Sequence, residues 1–511
     1  MKPLLTVLFL LFYCFGYNQT PLNPGQLDKI AEKYAYASFQ NFYDLLSIPN
    51  DANNQEDIIK NVEWCETAFQ DRGFTTKRLS TSTVPLLLAE RKVNNPQKTV
   101  LIYLQIDGQP VDFSRWNQKS PWIPALKEKD SNGEWKEIDW EKIHKKYDPD
   151  WRIFARSASD AKGPAAMFLA ALDAAKELNI EPSYNMKIIM DFEEEMGSPR
   201  LPGAVQKYSS DLAADMLIIY DGPLHIAGDP TLVFGARGIA DVTLTVFGPR
   251  VPQHSGHYGN YAPNPAVRLA QLIASMKDDK GRVTIPGFYD GIKIDKATKK
   301  ILDAVPDDEA VIQQKIGIAS PDGVGRNYQE AIQYPSLNVR GMRSAWVGKE
   351  ARTIIPATAT AEIDVRLVKE SDPERLIQLI KSHIKKEGYH ILDREPNEEE
   401  RLKYSKLIYF NSAIFYQSFR TPIDSEVGNW LSSALQKAFD KEAVKIRIGG
   451  GSIPISPFVV TLNVPAVIVP TVNMDNNQHS PNENLRLGNY IEGIAILMSV
   501  LNQTLEQPVQ Q

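Results

Sequence analysis

The sequence predicts an α/β fold in which a mainly parallel sheet is sandwiched by helices, with a smaller α+β domain inserted into it. Two observations lead to this fold class. Continuous apolar strands alternate with helices up to about residue 235, which is typical of a parallel sheet covered on both faces. From Gly235 to about Arg420, apolar and polar residues alternate instead, which is typical of strands with one exposed face.

The length and composition are those of an ordinary globular protein. A chain of 511 residues is long enough for two or three domains. Its hydrophobic content of 43% and charged content of 23% are unremarkable for this class. The net charge of -6 and the lack of a run of lysine or arginine argue against nucleic acid as a partner.

The N-terminus, residues 1–19, is predicted to be a secretory signal peptide. Lys2 precedes the apolar run 3–15, which is shorter than the roughly 20 residues that a membrane-spanning helix needs. Cleavage within 16–19 would export the mature protein to the periplasm or the extracellular space, without a membrane span. Cys65 would then be the only cysteine, so we expect no internal disulfide and a small buried hydrophobe at this position.

The first part of the predicted catalytic domain spans residues 20–235. The predicted helices lie at 24–47, 54–73 and 164–178. The predicted strands lie at 75–79, 85–91, 99–105, 186–192 and 216–220. Residues 116–151, which are rich in tryptophan and charge, are predicted to form a loop.

The second part of the chain is divided into an inserted domain at 236–420 and a return to the catalytic domain at 421–511. In the insertion, the predicted strands and helices follow the order strand–helix–strand–strand–helix–strand, at 239–247, 264–276, 336–342, 358–367, 373–387 and a final strand. The return is predicted to contain a helix at 425–439, a strand at 466–469 and a helix at 487–501.

Acidic or metal-binding residue types follow several predicted apolar strands at the points where the strands end. These residues are Asp107, Glu194, Glu195, Asp221 and His479, and Asp160 stands shortly before the predicted helix at 164–178. In open parallel sheets, ligands bind beyond the carboxyl ends of the strands. We therefore expect all six side chains to converge in one cleft.

Three consecutive glutamates, Glu193, Glu194 and Glu195, stand at the end of one of these strands. Adjacent carboxylates repel one another, and solvation in an exposed acidic loop would relieve the repulsion. A divalent metal with a shared proton would also relieve it. One carboxylate could then bind the ion while its neighbour faces the cleft as a general base. The other acidic residues at the same sheet edge favour the metal site.

A series of short motifs makes the chain similar to the co-catalytic-metal (zinc) peptidases, a family that includes carnosinase, cytosolic nonspecific dipeptidase, glutamate carboxypeptidase, aminoacylase and succinyl-diaminopimelate desuccinylase. The motifs include DGQP at 107–110, SDAKG at 159–163, EEMGS at 194–198, HSG at 254–256, GGSIP at 450–454 and HSPNE at 479–483. The resemblance covers nearly all of the mature chain and is strongest to the dipeptidase branch. It implies a zinc-exopeptidase-like catalytic fold with an inserted, ferredoxin-like lid that dimerises.

The resemblance also implies metal ligands. Asp160 would bridge two metal ions, with Glu195 and His479 completing one site and Asp221 contributing to the other. The family carries a histidine as a further ligand of the Asp221 site, but this chain has Gln105 there. An amide oxygen is a poorer ligand than imidazole for zinc and suits hard cations better. We therefore expect one tight Zn²⁺ and a second ion that is weak or replaced by Mn²⁺, Co²⁺ or Mg²⁺.

The same resemblance implies catalytic and substrate-binding residues. Glu194 would be the general base that acts on a metal-activated water, and Asp107 would orient a metal ligand. His254, on the inserted domain, would reach the active site of a partner subunit in a homodimer. The substrate carboxylate would be held by Arg366, Gly451 and Ser452.

The predicted function is that of an exported metallopeptidase. It would cleave a dipeptide, a C-terminal residue or an acyl-amide bond, so its substrate would be a small peptide or an N-acyl amino acid. The alternative is a catalytically impaired homologue that binds peptides or amino acids, because Gln105 replaces a metal-ligand histidine. Retention of Glu194 favours the enzyme, since a general base contributes nothing to binding alone.

Overall fold

The structure of the chain, a computed structural model, describes residues 22–94, 96 and 98–505. The predicted signal peptide at 1–19 lies outside the described residues. Within the part that is described, no helix combines the length and the apolar character needed to cross a bilayer. Cys65 is buried, as predicted.

Helices and strands alternate along the described chain. The α-helices are α1 (Pro24–Leu46), α2 (Gln55–Gln70), α3 (Lys162–Glu177), α4 (Leu201–Lys207), α5 (Ser209–Leu212), α6 (Ser255–Tyr258), α7 (Pro265–Met276), α8 (Lys296–Asp303), α9 (Glu309–Ile316), α10 (Tyr328–Ala331), α11 (Pro373–Lys386), α12 (Glu398–Lys403), α13 (Glu426–Phe439), α14 (Ser456–Leu462) and α15 (Leu487–Asn502). The strands are β1 (Thr75–Leu79), β2 (Leu86–Arg91), β3 (Thr99–Gln105), β4 (Ala125–Lys129), β5 (Trp135–Ile138), β6 (Arg152–Phe154), β7 (Asn185–Asp191), β8 (Met216–Ile219), β9 (Thr231–Val233), β10 (Gly235–Ala236), β11 (Gly238–Phe247), β12 (Gln253–His254), β13 (Ser336–Arg343), β14 (Ile354–Ile355), β15 (Thr358–Leu367), β16 (His390–Leu392), β17 (Leu407–Tyr416), β18 (Phe419–Arg420), β19 (Val444–Ile446), β20 (Ala466–Ile468) and β21 (Asn484–Arg486).

The main sheet has eight strands in the order β1-β2-β7-β3-β8-β20-β9-β19. Its four central strands, β7, β3, β8 and β20, are parallel, and antiparallel pairs at β2–β7 and β20–β9 mark the change toward the edges. This arrangement confirms the predicted fold class. The parallel centre places the carboxyl ends of four strands at one edge of the sheet.

Both faces of this sheet are covered, which explains why its strands are continuously apolar. Along β3, Val100, Ile102 and Leu104 pack into one core together with side chains of α1, α3, α13 and α15. Leu101 and Tyr103 point the opposite way, into a second core that includes side chains of α4 and α14. Successive residues of a strand point to opposite faces, so a strand buried on both sides needs apolar residues throughout.

The inserted region contains a five-stranded sheet in the order β13-β15-β11-β17-β16. Helices α7 and α11 pack on one face of it, through side chains such as Leu272 and Ile380. The other face carries more polar side chains, which accounts for the alternating pattern in the sequence. The predicted order of strands and helices is confirmed, while the domain boundaries at 20–235, 236–420 and 421–511 remain a prediction.

The prediction of a loop at 116–151 is wrong, because this segment contains strands β4 and β5. They form an antiparallel hairpin whose turn is closed by a hydrogen bond from Asp130 N to Glu134 O of 2.9 Å. The hairpin belongs to a four-stranded sheet in the order β21-β6-β4-β5. Lys129 and Arg152 lie over the Trp135 ring, so cations of this sheet are held on an aromatic surface. The high charge of the segment therefore led to the prediction of a loop in place of these strands.

Candidate metal centre

The predicted convergence of acidic side chains occurs at the carboxyl edge of the main sheet. Asp160, Glu195 and His479 each offer one ligand atom, and these three atoms all lie within 4.8 Å of one another. His479 Nε2 lies 2.9 Å from Asp160 Oδ2 and 3.3 Å from Glu195 Oε2. An imidazole nitrogen with two carboxylate oxygens is a donor set that suits zinc. The residues present therefore fit a bound divalent cation.

The raised pKa values of Glu195 and His479 also indicate a cation site. Burial and the negative charge of Asp160 raise the pKa of Glu195 to about 9. A hydrogen bond to Asp160 raises the pKa of His479 to about 9. These shifts reflect negative charge concentrated in a buried place, and a divalent cation between the ligand atoms would neutralise it.

Asp221 and Gln105 also interact with Asp160. Burial and then the charge of Asp160 raise the pKa of Asp221 to about 7, so the two carboxylates are within electrostatic range. Gln105 is only 2% exposed, and its Nε2 donates a hydrogen bond of 2.9 Å to Asp160 Oδ1. Its Oε1 has no hydrogen-bond partner among the described residues. In this orientation the side-chain nitrogen, which cannot bind a cation, faces Asp160.

Glu194 lies within electrostatic range of the other acidic side chains. Burial raises its pKa well above the ordinary value, and the charges of Asp160, Asp221, Glu195 and Asp107 raise it further. Carboxylates with pKa values perturbed in this way cluster at functional sites. The position therefore suits the general base that the sequence predicted.

Asp107 holds the start of the segment that carries the glutamates. Its Oδ2 accepts a hydrogen bond of 2.9 Å from the backbone N–H of Glu195. Its Oδ1 is buried without a hydrogen-bond partner within the described ranges, and burial with the charge of Asp191 raises its pKa to about 8. Asp107 thus orients Glu195 through the backbone and retains one oxygen for a further donor.

Glu193 is not part of the candidate metal centre, although it is adjacent in sequence to Glu194 and Glu195. Its Oε2 accepts a hydrogen bond of 2.8 Å from Thr83 Oγ1. Gln109, in the DGQP motif, donates a hydrogen bond of 2.8 Å to Glu195 Oε2. No role was predicted for Gln109, and its position two residues after Asp107 was the signal that could have found it.

Two of the predicted substrate-binding residues, Arg366 and Ser452, are in direct contact. Arg366 Nη1 on β15 donates a hydrogen bond of 2.8 Å to Ser452 Oγ, and the Gly451 carbonyl accepts one of 3.1 Å from the Arg237 backbone. His254 is not part of this group: it is exposed on β12, and its ring lies 4.7 Å from that of His257. Its predicted reach into a partner subunit remains a prediction.

Tyr416 faces the same cleft and was missed by the sequence interpretation. On β17 it lies opposite Ile239, which lies opposite Arg366, so the three residues form one row across three strands. A bulge just before Tyr416 brings this residue into the row, and bulges commonly redirect side chains near active sites. Its ring approaches Gly197, where an added Cβ would lie 4.0 Å from Cε1. Burial and the charge of Glu194 raise its pKa.

Comparison with known proteins gives a consistent result. Residues 234–391 match a family model described as a peptidase dimerisation domain. The Cys-Gly metallodipeptidase dug1 of Schizosaccharomyces pombe is 26% identical over 427 residues, which cover 82% of each chain. The human Beta-Ala-His dipeptidase is 24% identical over 417 residues, covering 80% of this chain and 75% of the relative.

Solved structures share the fold over almost the whole chain. The M20 family metallo-carboxypeptidase Sso-CP2 from Sulfolobus solfataricus has a TM-score of 0.75 and 26% identity, covering 91% of this chain and 98% of its own. Human carnosine dipeptidase 1 has a TM-score of 0.72 at 21% identity, covering 94% of this chain and 99% of its own. The chain therefore shares its fold with these peptidases.

Proposed function

The chain belongs to the M20 peptidase family, and we propose on this premise that it is an exported zinc dipeptidase in which Glu194 is the general base. The observation that carries the proposal is the cluster of Asp160, Glu195 and His479 with Glu194 beside it. When bound, a divalent metal supplies Lewis acidity toward water and toward the scissile carbonyl.

Glu194 performs the proton transfers in this proposal. It removes a proton from the attacking water and later returns it to the leaving amine, so the carboxylate ends each cycle unchanged. Burial among other acids gives it a high proton affinity, which favours holding the proton between these two steps. Asp107 keeps the adjoining Glu195 in place through its backbone N–H.

The proposed substrate class rests on Arg366, which, like Glu194, lies within electrostatic range of Tyr416. Arg366 with the Ser452 hydroxyl offers donors that suit a free carboxylate. We propose that they hold the C-terminal carboxylate of a dipeptide while its amide lies near Glu194. The relatives named as Cys-Gly and Beta-Ala-His dipeptidases support a substrate of this size. A C-terminal residue of a longer peptide or an N-acyl amino acid would offer the same carboxylate.

Dimerisation and export complete the proposal. The match of residues 234–391 to a peptidase dimerisation domain supports a homodimer formed through the inserted region, with His254 reaching the partner's cleft. Export rests on the sequence of residues 1–19 alone. N-terminal sequencing of protein from the periplasm or medium is expected to give a start near Tyr17–Thr20. Soluble cytoplasmic protein with an intact Met1 would contradict export.

One assay decides between the enzyme and the binding homologue that Gln105 leaves as an alternative. The purified mature protein is incubated with a panel of dipeptides and N-acyl amino acids in the presence of zinc, manganese or cobalt, and free amino acids are measured. We expect release from at least one dipeptide, and release at least about 10²-fold slower by Glu194→Gln under the same conditions. Peptide binding in calorimetry without hydrolysis in any metal would support the alternative.

A further inference from the structure

Glu483 is a fully buried carboxylate at the end of the HSPNE motif, next to the metal centre. It is 0% exposed, and both of its oxygens are saturated with donors. Oε1 accepts hydrogen bonds from Ser159 N at 3.0 Å, Ser159 Oγ at 2.9 Å and Asp160 N at 2.9 Å. Oε2 accepts hydrogen bonds from Ser157 N and Arg156 Nη1, both at 2.8 Å.

All five donors come from one short segment, residues 156–160, which ends at Asp160. Fixing the backbone N–H of Asp160 fixes its Cα and so restricts where its carboxylate can point. The segment needs such an anchor because Ser157 has φ of +60°, a left-handed conformation that is costly for a residue other than glycine. Buried backbone N–H groups also require acceptors, and the Glu483 carboxylate accepts hydrogen bonds from three such groups.

The backbone of Glu483 joins the same two parts of the chain. Its carbonyl accepts a hydrogen bond of 3.2 Å from Ala155 N, which extends the pairing of β21 with β6. Because Glu483 is only four residues beyond His479, this pairing connects the loop carrying His479 to the loop carrying Asp160. The two ligand loops are therefore joined through one residue, by its backbone and by its side chain.

The surroundings of Glu483 are built for the ionised carboxylate. Every hydrogen-bond partner of its side chain is a donor, and Arg156, itself buried, forms an ion pair with it at 2.8 Å. Burial raises the pKa of Glu483, while Arg156 and the backbone N–H groups act to lower it. If glutamine stood at this position, its NH₂ group would face N–H donors and could accept no hydrogen bond from them. Arg156 would also lose its counter-charge.

We propose that Glu483 is a positioning residue of the metal centre, which sets the Asp160 carboxylate opposite His479 by holding the 156–160 segment. The inference rests on the proposed function only in taking Asp160 and His479 as ligands of a metal. It assigns to the last residue of the HSPNE motif a role distinct from that of its first. Groups that orient metal ligands typically change metal affinity by about 10–100-fold when they are replaced.

The test measures zinc binding in the absence of peptide. Zinc affinity of wild type and Glu483→Gln is determined by competition with a chelator of known affinity, and circular dichroism and thermal unfolding report the fold. We expect a folded variant with zinc affinity lowered by about 10–100-fold. Glu492→Gln, which makes the same change at a half-buried acid on helix α15, is the matched control and should bind zinc like wild type.

Each other outcome has a defined meaning. Unchanged zinc affinity in folded Glu483→Gln, or an equal loss in Glu492→Gln, would overturn the proposal. If Glu483→Gln fails to fold, Ser159→Ala decides, because it removes only the hydroxyl donor to Glu483. An affinity loss of about 3- to 10-fold in that variant supports the proposal, and no loss overturns it. A wild type that binds zinc tightly but hydrolyses no peptide would refute the proposed function and leave this inference standing.

Discussion

We propose that Asp160 and Asp221 border a weak second metal position, which replacement of Gln105 by histidine should make tight. In the structure the Gln105 amide nitrogen donates to Asp160 Oδ1 at 2.9 Å, so the wild-type side chain competes with a cation for that oxygen. A histidine would bring an imidazole nitrogen toward Asp160 and Asp221. Oδ1 of Asp107, which has no hydrogen-bond partner among the described residues, is the acceptor available to orient the new ring.

The expected magnitude follows from the ligands that change. Loss of a group that only orients a metal ligand costs about 10–100-fold in metal affinity. Because Gln105→His changes the ligand itself, we expect the metal affinity of the second position to rise by at least about 100-fold. After identical dialysis, metal analysis should give close to one zinc per chain for wild type and close to two for Gln105→His. Wild-type protein should regain its second ion only with millimolar manganese or magnesium.

A matched control and a refuting result complete this experiment. Gln105→Leu removes both side-chain polar atoms and should leave the single tight zinc in place, because Asp160, Glu195 and His479 are retained. Two equally tight ions in wild type would refute the reasoning and show that Gln105 binds metal through Oε1 after its amide rotates. A stoichiometry of one in Gln105→His would show that Asp221 does not belong to a second position.

Four further predictions test other parts of the cleft. Glu194→Gln should lower turnover at least about 10²-fold while metal analysis stays near wild type, and unchanged turnover would transfer the role of base to another group. Mixing inactive His254→Ala with inactive Glu194→Gln should restore partial activity if subunits exchange, and exchange without recovery would place His254 outside the partner's site. Tyr416→Phe should raise KM by about 2–10-fold, the effect of one lost hydrogen bond, with little change in thermal unfolding; an unchanged KM would remove Tyr416 from substrate binding. Burial raises the pKa of Glu492 to about 7, above its ordinary 4.5, so the folded state keeps a proton that the unfolded chain releases, and stability falls as pH rises through this window. In denaturant titrations, the free energy of unfolding of Glu492→Gln should therefore exceed that of wild type by about 1–3 kcal/mol at pH 8 and nearly equal it at pH 4. This range is reduced to allow for the partial exposure of the side chain.

The central strands of the main sheet could be predicted from sequence because burial on both faces leaves a strong local signal. Strand β3 is apolar from Val100 to Leu104, and alternate residues enter two different cores. The parallel order of β7, β3, β8 and β20 then brings their carboxyl ends together without further information. Convergence of Asp107, Glu195 and Asp221 at one edge is therefore a consequence of topology that the sequence pattern contains.

The hairpin β4–β5 and the register at Tyr416 could not be predicted in the same way. The hairpin alternates lysine and glutamate, and it is ordered by pairing with β6 and by cations on the Trp135 ring. These partners are visible only after folding. The bulge that brings Tyr416 opposite Ile239 shifts the strand by one residue, and such a shift exchanges the two faces of a strand. No local pattern distinguishes Phe415 from Tyr416 as the residue facing the cleft.

The three glutamates show why residue roles need long-range contacts. The three glutamates are adjacent in sequence, yet their side chains have different partners. Glu193 accepts a hydrogen bond from Thr83, whereas Glu195 accepts one from Gln109 and lies in ion-pair distance of His479. Burial and the charges of four surrounding acids raise the pKa of Glu194, which supports its proposed role as the general base. Each partner lies more than 80 residues away along the chain. We therefore infer that contacts with distant side chains, rather than the local sequence, decide which of the three carboxylates takes the role of metal ligand, of base or of structural acid.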